Sequence, residues 1–197
     1  RSIAWHDLGE YENSIADASQ VIELDPTIAA AYRNRGHAKQ ALKQHDAAMA
    51  DFGKAINLDP SDPAAYEMRG RALQQQGEHA KAIADYDQLI RLTPDDYKAY
   101  YNRGSSWSSA GDYDRAIEDF EESIRLNPNY VSAYNNRGIV YYEQEEYELA
   151  IADFTKALEY EGDNDLFFDN RGAAWEALGE AEKEDADFAK ATELRGE

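Results

Sequence analysis

The chain has 197 residues and carries 40 Asp plus Glu against 20 Lys plus Arg, a formal charge of −20. Such a surface repels phosphate, so nucleic acid and anionic membrane are excluded as favoured partners and a protein is left. Zero cysteines remove disulfides, thiolate metal sites and cysteine nucleophiles. With 43% hydrophobic residues the chain has material for a core, yet no apolar run reaches bilayer-spanning length, and a soluble, cytoplasmic protein is expected.

A repeat organises everything else. Asn34-Arg35-Gly36 returns as Asn102-Arg103-Gly104, Asn136-Arg137-Gly138 and Asn170-Arg171-Gly172, with Met68-Arg69-Gly70 as a variant, and successive glycines stand 34 residues apart. Pro26, Pro60, Pro94 and Pro128 keep the same interval. With Gly36 as position 8, the units run 1–28 (partial), 29–62, 63–96, 97–130, 131–164 and 165–197, and we expect one solenoid over 1–197. Self-similarity of this period marks a repeat architecture.

In chain order, the first unit begins at Arg1 in mid-helix. Its first helix of about eight residues is shorter than isolated helices tolerate, so the chain reads as part of something longer. Each later unit reads as two helices. In 97–130, Tyr100, Gly104 and Trp107 form one apolar stripe, and Tyr113, Ala116, Ile117, Phe120 and Ile124 form a second. Gly111-Asp112 separates the stripes, and Leu126-Asn127-Pro128 ends the second, because proline cannot continue the helical ladder. The unit 63–96 opens on Asp62-Pro63, an N-cap followed by proline at the first helical position. At the junction 161–165 glycine replaces proline, as Gly162. A left-handed helix end suits that glycine, and both a flexible and a tightly packed junction remain open. In the last unit Glu184, Asp185 and Thr192 replace smaller and more aliphatic residues, as a water-facing terminal repeat requires.

These residues resemble the tetratricopeptide repeat (TPR) family across the whole chain. The aromatic at position 4 is Tyr32, Tyr66, Tyr100, Tyr134 and Phe168; the small residue at position 20 is Ala48, Ala82, Ala116 and Ala150; position 24 is Phe52, Tyr86, Phe120, Phe154 and Phe188. The resemblance implies an all-α fold of antiparallel helix pairs stacked into a right-handed superhelical solenoid, with a concave face lined mainly by first helices. A single helical hairpin cannot bury its stripe alone, which agrees with stacking.

Two columns depart from the family. Position 7, usually Leu, is Arg1, Arg35, Arg69, Arg103, Arg137 and Arg171, and position 23 is Asp17, Asp51, Asp85, Asp119, Asp153 and Asp187. The middles of the two helices face each other in such a hairpin, so an Arg–Asp ladder fixing their register is expected. The alternative is arginines that grip a ligand.

No catalytic constellation is present, and neither an enzyme nor a cofactor is expected. His45 and His79 share position 17 with Tyr11, Tyr113 and Tyr147 and read as interface residues, while His6 and His37 are too scattered for a metal site. What remains is a protein-interaction scaffold. The resemblance places a peptide ligand on the first-helix face, which carries Arg33, Asn34, His37 and Gln40, then Met68, Arg71 and Gln74. It continues with Lys98, Tyr101, Asn102 and Ser105, then Asn135, Asn136, Ile139 and Tyr142.

Asparagine offers both donors and an acceptor to a peptide backbone, and tyrosine offers amphipathic contact area. The family's carboxylate clamp survives only in part, as Arg33, His37, Met68, Lys98 and Asn102, which leaves Arg33, Arg71 and Lys98 as a weaker acceptor for an acidic segment. A spacer or self-association module using the repeat ends is the second reading, and a recruiting part of a longer protein whose activity lies elsewhere is the third. Charge is polarised: repeats two to four net −3, whereas residues 131–197 net −12.

Overall fold

The computed structural model describes residues 10–196, so the expectations placed on Arg1 and His6 lie outside the described residues. It divides into two compact units, 1–94 and 95–197. In the first unit the helices are α1 (Tyr11–Leu24), α2 (Ala29–Ala41), α3 (His45–Leu58), α4 (Pro63–Gln75) and α5 (His79–Leu92). The second holds α6 (Tyr97–Ser109), α7 (Tyr113–Leu126), α8 (Val131–Glu143), α9 (Tyr147–Tyr160), α10 (Asp165–Leu178) and α11 (Ala181–Arg195). No strand occurs among the described residues. Within each unit consecutive helices pack as hairpins, and each second helix packs on the next first helix.

Local chemistry sets the helix starts. Asp62 accepts a bond from the Ala64 N–H at 3.1 Å with Pro63 in the first turn, and Asp96 accepts from the Lys98 N–H at 3.0 Å. Each satisfies an otherwise orphaned amide. Between helices of a pair, position 15 is left-handed in every complete repeat: Lys43 (φ 59°), Gly77 (75°), Gly111 (82°), Glu145 (63°) and Gly179 (76°). The chain must reverse there, and two repeats do so without glycine.

Between repeats, the side chains of Asp25, Asp59 and Asn127 accept the N–H two residues on, at 2.9, 3.0 and 3.2 Å, folding the proline-bearing turns locally. The Gly162 junction turns over the same two positions without proline, and Gly162 is not left-handed. The left-handed helix end expected there is therefore corrected. The Glu161 N–H continues the helix pattern onto the Ala157 carbonyl at 2.9 Å, which carries the chain into the turn with ordinary backbone angles.

The core of each hairpin is an aromatic ring on a glycine. Phe52, Tyr86, Phe120 and Phe154 are fully buried, and a Cβ added at Gly36, Gly70, Gly104 or Gly138 would lie 2.7–3.0 Å from the ring that covers it. Burying one such ring stabilises the fold by roughly 1.5–3 kcal/mol. Ala48, Ala82, Ala116 and Ala150 are wholly buried beside them, where the helices approach most closely.

The Arg–Asp ladder is present in all five described rungs. Arg35–Asp51, Arg69–Asp85, Arg103–Asp119, Arg137–Asp153 and Arg171–Asp187 are bidentate at 2.6–2.8 Å. The aspartates are 3–6% exposed, so these pairs are held by geometry in a poorly solvated seam. Bonds donated to Asp51 and Asp85 hold the Arg35 and Arg69 guanidinium groups above their usual pKa. In four rungs the arginine also stacks on the position 4 ring, 5.5–5.9 Å from its centroid.

Candidate interaction face

First helices meet one another along one face of each unit, through α2 with α4, α6 with α8 and α8 with α10. The side chains at positions 5, 6, 9, 12 and 13 occupy this seam, because their bonds cross it. Gln40 donates to Gln75 at 2.9 Å in the first unit, while in the second Asn170 donates to Asn135 at 2.9 Å and Asn136 donates to the Tyr101 hydroxyl at 3.0 Å.

In the first unit the seam encloses a depression of about 270 Å³, lined by Tyr11, His37, Gln40, Met68, Arg71 and Gln75, with Phe52, Ala41 and Ala72 completing its walls. Arg71 projects from it with its side chain 61% exposed and approaches Glu67 at 4.0 Å. Arg33 stands differently. Its guanidinium is ion-paired with Asp62, and the two side chains are 20% and 13% exposed. That carboxylate also caps α4, so Arg33 is committed to the helix junction. Asn34 is half-buried and makes no side-chain hydrogen bond among the described residues. His45 and His79 open α3 and α5, half-buried, with His45 Nδ1 3.1 Å from the Gln40 oxygen.

In the second unit the amides form a continuous chain. Asn170 donates to Asn135, whose own nitrogen donates to Asn136 at 3.2 Å, and Asn136 reaches Tyr101. Sequence reasoning left the asparagines open to a ligand backbone; the structure turns three of them toward each other, which orders the face across three repeats. Asn102 makes no side-chain hydrogen bond among the described residues. Tyr101 packs edge-on against Tyr130 (5.0 Å), and Tyr130 against Tyr97 (4.8 Å), with burial pushing the Tyr130 phenol pKa up. Lys98 is exposed and lies 5.8 Å over the Tyr97 ring. Tyr142 packs on Tyr147 at 5.4 Å, and Ile139 is 37% exposed. The aromatic cluster at Tyr97 and Tyr130 was missed from sequence. Its signal is two tyrosines at positions 1 and 34, where no other repeat carries an aromatic residue.

Among the described residues, no three His, Cys, Asp or Glu side chains converge as metal ligands, and no helix is long and apolar enough to cross a membrane.

Models of the tetratricopeptide repeat match residues 97–130 and 131–164, and a related TPR-repeat model matches 40–77 and 70–106. The chain belongs to the tetratricopeptide repeat family. Solved TPR-type structures superpose on it: MamA at 27% identity and TM-score 0.77, covering 82% of this chain and 94% of MamA. Pseudomonas aeruginosa pilF gives 19% and 0.83, covering 98% and 88%. YrrB, described as a TPR protein with an unusual peptide-binding site, gives 19% and 0.75, covering 91% and 93%. At these identities pilF and YrrB speak to the fold alone. No curated protein matches the chain. The TPR family comprises interaction scaffolds that are in general non-enzymatic, and this chain is an all-α TPR protein, a protein-interaction scaffold in that general sense.

Proposed function

We propose that the chain is a non-catalytic scaffold that binds an extended peptide segment on its first-helix face. The observation that carries this reading is the depression of about 270 Å³ between α2 and α4. It has an apolar floor of Met68, Phe52 and Ala72, and a polar rim of His37, Gln40, Gln75 and Arg71. Apolar walls with a few convergent polar groups are what a side-chain pocket needs. Arg71 supplies an exposed cation there and selects a segment with an acidic side chain or terminal carboxylate at that point. Asn34 adds amide capacity along α2, and in the second unit Asn102, Tyr101 and Tyr142 add amide and aromatic contact.

The test is a random peptide library panned on the purified chain, with selected peptides measured by titration calorimetry. Met68→Trp, which fills the depression, and Arg71→Glu, which reverses its charge, should each weaken first-unit binders by about tenfold or more. Binders indifferent to both, and also to Asn102→Ala and Tyr142→Ala, would place recognition on another surface and overturn the reading.

A further inference from the structure

The second unit has a charge deficit that its own side chains cannot repair. Residues 95–197 contain ten Lys plus Arg and 26 Asp plus Glu. Nine of those ten cations already meet a carboxylate: three stand in the ladder, and six form surface or terminal pairs. The tenth, Lys98, lies over Tyr97.

On the first-helix face, Glu143 follows Tyr142 at the end of α8, and Glu176 occupies in α10 the place that Tyr142 has in α8. Both glutamates are exposed and have no ion-pair partner among the described residues. The same first-helix face carries Ile139, 37% exposed, and the amide chain that runs from Asn170 to Tyr101. Such a face offers an aliphatic contact, aromatic rings that attract cations and carboxylates whose field is not cancelled locally.

Resting on the reading that this face takes peptides, we propose that the second unit binds an extended segment bearing lysine or arginine. The segment's aliphatic residue sits on Ile139, and its cations sit against Tyr142, Glu143 and Glu176. Charge complementarity chooses this occupant: an acidic segment would meet Glu143 and Glu176 without a compensating cation, whereas a basic one fills the deficit. The tyrosine faces in this unit already accept cations, since Arg137 lies 5.8 Å from the Tyr141 centroid.

The probe is a set of fluorescein-labelled dodecapeptides repeating Lys-Ser-Leu, Gln-Ser-Leu or Glu-Ser-Leu, titrated with the full chain by anisotropy at low and at physiological salt. The lysine peptide should bind at least about tenfold tighter than the glutamate peptide, with the difference shrinking as salt rises. The pair Glu143→Gln with Glu176→Gln should weaken the lysine peptide about threefold to tenfold and flatten its salt dependence. The pair Ile139→Ser with Tyr142→Ala should weaken both the lysine and the glutamine peptides. All four positions are exposed or half-buried, and circular dichroism checks that the variants keep their helicity.

If the glutamine peptide binds as tightly as the lysine peptide and is lost with the Ile139 and Tyr142 changes, the preference for basic segments is wrong while peptide binding on this face stands. If the lysine peptide binds but ignores both variant pairs, its site is elsewhere on the acidic surface and the proposal fails. Absence of binding by all three peptides also overturns it.

Discussion

The two units are built on one skeleton and dressed differently. Each carries ten Lys plus Arg, yet residues 1–94 carry 14 Asp plus Glu and residues 95–197 carry 26. The whole difference in charge is therefore a difference in acids. At position 9 of the first helix, the first unit presents His37 and Arg71, whereas the second presents Ser105, Ile139 and Ala173. Inside the hairpins nothing of the kind occurs: both units repeat the bidentate rung, the ring on glycine and the left-handed turn residue. Positions that decide how two helices meet are held, and positions on the first-helix face are free to diverge, which is how one fold can serve different ligands.

The sharpest way to break this comparison is to remove the same rung in each unit. Asp85→Ala and Asp153→Ala each remove the bidentate partner of a mostly buried guanidinium, at a cost of about 3 kcal/mol. Urea unfolding followed by circular dichroism, with hydrogen exchange to locate the loss, should give similar costs for both, because Arg69 and Arg137 are held by the same bidentate geometry. Replacing Arg137 and Asp153 together by Leu should recover most of the loss, since well-packed apolar pairs often equal buried ion pairs. A cost near zero for either single change would show that the rung is not a shared structural element.

Next in size is the ring on glycine. In Gly70→Ala the new methyl meets Tyr86 at 2.9 Å, and in Gly138→Ala it meets Phe154 at 2.7 Å. Both should destabilise by about 1–3 kcal/mol, because the rings are fully buried and have no free space to enter. The gain in helix propensity from Gly to Ala, about 1 kcal/mol, opposes the clash. A net stabilisation would mean that the helices separate to accommodate the methyl.

Much of this was legible in the sequence because period and register are arithmetic. Six arginines and six aspartates at fixed positions predict a ladder before any coordinate is known, and five described rungs carry it. The helix bounds around Asp62-Pro63 and Gly111-Asp112 were equally plain, since caps and breakers act locally. The face was less legible. Arg33 resembles any groove cation until the turn brings Asp62 against it, and the asparagines look open until neighbouring repeats align them. Both depend on side-chain directions between repeats, which position numbers alone do not contain. Gly162 misled for a related reason: glycine permits a left-handed angle but does not require one.

Position 15 gives a smaller effect of the same sign in both units. Lys43 and Glu145 hold φ of 59° and 63° where the other complete repeats use glycine. A side chain in that region costs about 1 kcal/mol, so Lys43→Gly and Glu145→Gly should each stabilise by up to that amount, less the extra entropy that glycine returns to the unfolded chain. Thermal unfolding of the two variants tests whether the turn is as demanding in one unit as in the other, and a loss of stability in either would show that the native side chain makes a compensating contact.

The smallest prediction concerns a place where the skeleton itself differs. The third guanidinium nitrogen of a rung looks toward position 25 of the preceding repeat. Arg35 donates there to Ser19 at 3.2 Å and Arg171 to Thr155 at 3.0 Å, while Arg137 lies 3.7 Å from Glu121. Behind Arg69 that position is Gly53, whose missing Cβ would stand 4.0 Å from the Arg69 nitrogen. A hydroxyl carried on that Cβ reaches hydrogen-bonding range. Gly53→Ala gains about 1 kcal/mol from helix propensity alone, and serine ranks about half a kcal/mol poorer than alanine on the same scale. A new bond to a charged donor offsets that deficit, so Gly53→Ser should match or exceed Gly53→Ala in urea unfolding. Serine trailing alanine by the full propensity difference would mean that no contact forms and that the third nitrogen has no part in joining repeats.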